Sequence, residues 1–95
     1  MSTPHRITTG TNPTASHRTV YVVRRTMAGK GMARFVAVDR GADGRPRQHA
    51  TFAAADAVAK RLGGSAAGLS VFTEFRSPNG MPCAGNYIKT SATPE

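Results

Sequence analysis

There is no tryptophan in this sequence, only one cysteine, and only five acidic side chains among 95 residues. Each scarcity excludes something. A lone Cys83 cannot form an internal disulfide, and a single thiol without a partner fits a reducing compartment. With only four Phe and two Tyr as large aromatic side chains, the core must be small and its stability modest. No apolar run approaches the roughly 20 residues that a membrane-spanning helix needs, and the N-terminal stretch is polar, without a signal-peptide-like apolar segment. The expected compartment is therefore the cytoplasm, with no membrane partner. The acids Asp39, Asp43, Asp56, Glu74 and Glu95 are scattered, so no pair has the spacing of a shared general acid and base. His5, His17, His49 and Cys83 lack metal-ligand spacing. Residues 64–68 follow a helical pattern rather than a strand and do not make a nucleophile elbow, and Gly29-Lys30-Gly31 falls short of a phosphate loop. The expectation is a protein that is not an enzyme, with no catalytic residues, no metal and no cofactor.

What the sequence has in excess is positive charge. Thirteen Lys and Arg against five acids give a formal net charge of +8 and a pI near 11.2. That balance favours polyanionic partners, namely nucleic acid, an acidic protein surface or anionic lipid. Codon bias in a high-GC genome also enriches arginine and alanine, so charge alone does not name the partner.

The clearest local signal is an amphipathic helix over residues 51–64. Thr51 is a capping residue, and Phe52, Ala55, Val58, Ala59 and Leu62 recur at helical spacing on one face. Asp56 is placed to pair with Lys60 one turn on, Lys60 and Arg61 suit the negative end of the dipole, and Gly63-Gly64 ends the helix. The apolar face is narrow and alanine-rich, which suits close packing on a flat sheet.

The flanking segments supply that sheet. Val20, Tyr21, Val22 and Val23 are β-branched or aromatic and, with Arg24, Arg25 and Thr26 after them, read as a first strand, and residues 32–40 as a second, with Phe35 and Ala37 toward the helix. Asp43-Gly44 marks a turn, and residues 47–50 offer a short third strand. After the helix, residues 69–76 alternate, with Leu69, Val71, Thr73 and Phe75 on one side and Ser70, Phe72, Glu74 and Arg76 on the other. Pro78-Asn79-Gly80 is a further turn. Residues 83–89 return as a final strand, which Pro82 and Gly85 would make an edge or irregular one. The fold expected is α+β: an antiparallel sheet of three to five strands with one helix packed on one face, in the order ββ(β)αβ(β). Residues 1–18 are polar, lack acids and read as a flexible basic arm; residues 19–89 form the single domain; residues 90–95 are a frayed tail.

A helix that covers one face leaves the other for function. The candidate binding residues are Arg24, Arg25, Arg34 and Arg40 on the first two strands, Lys30 in their shared loop, and Arg45 and Arg47 in the next turn. Adjacent Arg24 and Arg25 must point to opposite faces. Tyr21 or Phe72, if on the open face, is suited to stacking on a base.

Two resemblances accompany this pattern. Residues 21–64, with basic strands, a turn, Thr51-Phe52 and an alanine-rich helix, resemble the three-stranded sheet plus helix of AP2-type and phage-integrase arm-binding domains. That likeness implies DNA contacts from Arg24 or Arg25, Arg34, Arg40 and Arg47; the tryptophan and acidic helix positions of those families are missing, and another strand follows the helix. The order over residues 19–89 is also similar in architecture and size to small phage-encoded anti-CRISPR proteins, which implies a stoichiometric inhibitor. The functional expectation is a small basic binding module for nucleic acid or a nucleoprotein complex. The alternative is a phage-encoded inhibitor or adaptor that binds a host nucleic-acid-handling complex through an acidic surface.

Overall fold

The computed structural model describes residues 4–8 and 16–94. Five strands, β1 (His5–Thr8), β2 (Arg18–Thr26), β3 (Phe35–Ala37), β4 (Leu69–Arg76) and β5 (Pro82–Ser91), form one antiparallel sheet in the order β1-β5-β4-β2-β3. Among the described residues there is one α-helix, α1 (Phe52–Arg61), and it packs on β2 and β4. The architecture is the expected α+β sheet with a helix on one face.

The ends of α1 follow from the sequence. The Thr51 hydroxyl accepts the Ala54 N–H at 3.2 Å, a cap that contributes about 1 kcal/mol. Gly63 ends the helix at φ +119°, where an added Cβ would sit 2.7 Å from the Ala67 side chain. Ala55 and Ala59 are fully buried against Val23, Leu69 and Val71, so methyl-sized side chains bring the helix close to the strands. Asp56 does not turn to Lys60. It accepts from the backbone and hydroxyl of Thr93 at 2.9 and 2.5 Å, which ties the chain after β5 to the helix.

Several segments depart from the sequence reading, each for a local reason. Gly29 and Gly31 take positive φ and wind residues 31–34 into a 3-10 helix, so the second strand is cut to three residues. Phe35 and Ala37 face away from α1, because Thr26 and Arg24 are their register partners and these project from the far side of β2. Residues 47–50 contribute only a bridge, with paired hydrogen bonds of 3.0 and 2.9 Å between Tyr21 and His49. Of the two expectations for β5, edge or irregular, the second holds: β1 pairs with its outer side, and its register against β4 shifts between Glu74 and Arg76. His5–Thr8 therefore belongs to the sheet, although it falls in the stretch expected to be an arm; residues 1–3 and 9–15 of that stretch lie outside the described residues. The expected tail is likewise tied down in part: β5 runs to Ser91, and Ala92 is buried and donates to the Leu69 carbonyl at 3.2 Å.

The face away from the helix is closed. Phe35 is paired with Thr26, and Tyr87 lies on the row of Glu74 and Val20, so on a flat sheet the two would be on the order of 20 Å apart. Their ring centroids are 6.1 Å apart, with Phe72 against both at 4.8 and 5.5 Å. The sheet coils until opposite corners touch. Phe35, Phe72 and Tyr87 form a second core inside that curl, next to Val20, Val22 and Ala37.

Candidate functional site

The seven basic residues singled out by sequence do not share one face. Arg24 is an internal strut: Nε and Nη2 donate to Glu74 at 2.8 and 3.2 Å, and Nη1 donates to the Phe35 carbonyl at 3.2 Å. Arg76 joins the same carboxylate at 2.7 Å. All three side chains are 15% exposed or less. Glu74 is thus the residue that sequence reasoning left without a role; its ladder partner is Val20, four residues from Arg24, so the pair meets along the same side of the coiled sheet rather than across one rung. Phe72, offered above as a base-stacking residue, is fully buried and unavailable.

The other six remain exposed. Arg25 projects from the helix side at the end of β2, beside Gly68. Lys30 and Arg34 lie in the connection from β2 to β3, where the Arg34 guanidinium rests 4.6 Å from the Phe35 ring centroid. Arg40, Arg45 and Arg47 surround the turn before α1. Arg40 donates to the Gly44 carbonyl at 2.8 Å, and the Arg45 N–H donates to Asp43 at 3.0 Å. Arg47 stands 3.3 Å from Asp39. Asp39 also meets His49 Nε2 at 2.6 Å, so this acid is engaged from two sides.

Topology gathers these cations. β3 is one of the two edge strands, and the segments on both sides of it carry Lys30, Arg34, Arg40, Arg45 and Arg47. One edge of the sheet is therefore basic. Beside it runs a groove of about 360 Å³ lined by Val38, Asp39, Arg40, Val58, Arg61 and Leu62. Arg61, placed by sequence at the negative end of the helix dipole, is among the residues that line this groove, as is Arg40. Among the described residues there is no cluster of three or more His, Cys, Asp or Glu side chains able to hold a metal ion, and no helix is long and apolar enough to cross a membrane.

The chain matches no family model, no curated protein and no solved structure. Its function has to be read from the side chains themselves.

Proposed function

We propose that this protein is a small, non-enzymatic, cytoplasmic binding module that engages nucleic acid or a nucleoprotein complex through the basic edge around β3. The observation that carries this reading is the separation of its cations. Arg24 and Arg76 are engaged inside the fold by the one carboxylate of Glu74, whereas Arg25, Lys30, Arg34, Arg40, Arg45 and Arg47 stay exposed near one edge. Structural demand explains the first pair; in the second set Arg34, Arg40 and Arg47 make local contacts yet stay at the solvent. Long, exposed guanidinium groups on short loops suit a phosphate backbone, where each neutralised phosphate releases counterions. Six such contacts would weaken binding about 1,000-fold between 50 and 200 mM salt. The test is a salt series with random-sequence DNA and RNA; no detectable binding at low salt would refute the reading.

The groove favours a second reading. Val38, Val58 and Leu62 give it an apolar lining alongside Asp39, Arg40 and Arg61, and a phosphate backbone has no use for such a lining. A protein segment with acidic and apolar side chains does. In that reading the protein is a stoichiometric inhibitor or adaptor of a nucleic-acid-handling complex, of the phage-encoded kind. Recovery of a stoichiometric complex that Leu62→Glu abolishes would favour it.

A further inference from the structure

The proposed function deepens when the helix side of the sheet is followed beyond α1. Ten helical residues span about 15 Å, whereas the nine residues of β2 span about 30 Å. The helix covers the rows of Val23, Val71 and Leu69. Past its N-terminus the next rows on the same side are Tyr21, Thr73, Ile88 and Arg6, then Thr19 and Phe75. Thr19 and Arg6 are exposed, and Tyr21, Thr73, Phe75 and Ile88 are half-buried. Phe52, in the first turn of α1, is 37% exposed and meets Tyr21 edge-on, with ring centroids 6.2 Å apart. The Arg6 guanidinium sits 5.9 Å from the Phe75 ring centroid.

The six aromatic residues thus divide evenly. Phe35, Phe72 and Tyr87 fill the concave core, while Tyr21, Phe52 and Phe75 lie on the opposite face and are only partly buried, Tyr21 against the rim of the helix-side core. A small domain without tryptophan gains most by burying every ring it has, so this partition needs a reason. Among the described residues a cation stands at the patch, and the acids nearest this face each have a partner of their own. Glu74 projects from the other face, Asp39 is held by His49 and Arg47, and Asp56 is held by Thr93. Asp43 is in the turn that follows β3, and Arg6 brings a cation to Phe75.

We infer that Tyr21, Phe52 and Phe75, with Arg6, form a stacking platform for the bases of a single-stranded polynucleotide. This rests on the polyanion reading above and names the strand state of the ligand. Duplex bases hide their π faces in the stack; only unpaired bases can lie on a protein ring, and neighbouring cations then hold the backbone. The basic edge around β3 would bind either form through phosphate alone, so the platform is what discriminates.

The experiment compares an oligothymidine of about 12 nucleotides with a mixed-sequence duplex of the same length, by fluorescence anisotropy on the full chain at about 50 mM salt. The single strand should bind more tightly. Tyr21→Leu and Phe75→Leu keep apolar bulk but remove the ring, and each should weaken single-strand binding about 5- to 100-fold while leaving duplex binding nearly unchanged. Photo-crosslinking of the unaltered protein does not depend on variants folding, and should place the oligothymidine on Tyr21, Phe52 or Phe75. Equal affinity for single strand and duplex, or crosslinks confined to residues 27–34 and 40–47, would overturn the platform. In either case salt-dependent binding would persist and the polyanion reading would stand. Absence of binding to both oligonucleotides would overturn the two together.

Discussion

Arg24 and Glu74 meet as a fork, with Nε and Nη2 of the guanidinium donating to the two carboxylate oxygens at 2.8 and 3.2 Å. Arg76 adds a third contact to the same carboxylate at 2.7 Å, so one acid supports two cations whose side chains are 11–15% exposed. Glu74→Ala would leave both guanidinium groups under cover without a counter-charge, at an expected cost of about 3–5 kcal/mol. Urea denaturation measures this. A loss below about 1 kcal/mol would mean that the network does not hold the concave face closed.

The aromatic cluster should be equally sensitive. Phe72 is fully buried between Phe35 and Tyr87, and Phe72→Ala should cost about 3–5 kcal/mol by removing the floor of the curl. Val36 is 42% exposed on β3 between two buried neighbours, and Val36→Ala should change stability by no more than about 0.5 kcal/mol. Thermal melts of the two variants check the contrast, which inverts if the sheet faces are assigned the wrong way round.

Exposed and internal arginines should behave differently toward nucleic acid. Replacing Lys30, Arg34 and Arg45 together by Ala should lower the slope of log binding constant against log salt by about 2–3. Arg24→Ala should instead reduce stability and leave the slope of the folded protein unchanged. Salt titrations of both variants decide the matter, and a slope that falls equally in each would place Arg24 at the interface.

The end of the chain should contribute to stability. Ala92 is buried and bonded to Leu69, and Thr93 is bonded to Asp56. Truncation after Ser91 is expected to cost about 2 kcal/mol, from lost burial and hydrogen bonds. Asp56→Ala should lose about 1 kcal/mol of this. Denaturant midpoints of the two variants test it; an unchanged midpoint on truncation would show that the tail adds nothing.

Much of the fold was legible because its signals are local. The helix over Phe52–Arg61, its Thr51 cap, its stop at Gly63 and the turns at Asp43-Gly44 and Asn79-Gly80 all depend on a few adjacent residues. The alternation along Leu69–Arg76 also assigned its side chains to the right sides, with Leu69 and Val71 under α1. β1 was not legible, since its four residues sit in a polar stretch and are organised by pairing with β5. The direction of Phe35 was missed because three residues of strand cannot set their own register.

The candidate site divides along the same line. Sequence alone determined that the chain is strongly basic, that α1 closes one side of a sheet, and that the loops on either side of β3 carry Lys30, Arg34, Arg40, Arg45 and Arg47. Only the tertiary structure decided that the side opposite α1 is not the open one. Coiling brings Phe35 to Tyr87 and places Glu74 beside Arg24, so that side becomes a core, while a helix shorter than its strands leaves Tyr21 and Phe75 in part uncovered on its own side. Curvature is a sum over ladders that join residues as far apart as His5 and Lys89, and no short window of the chain contains it.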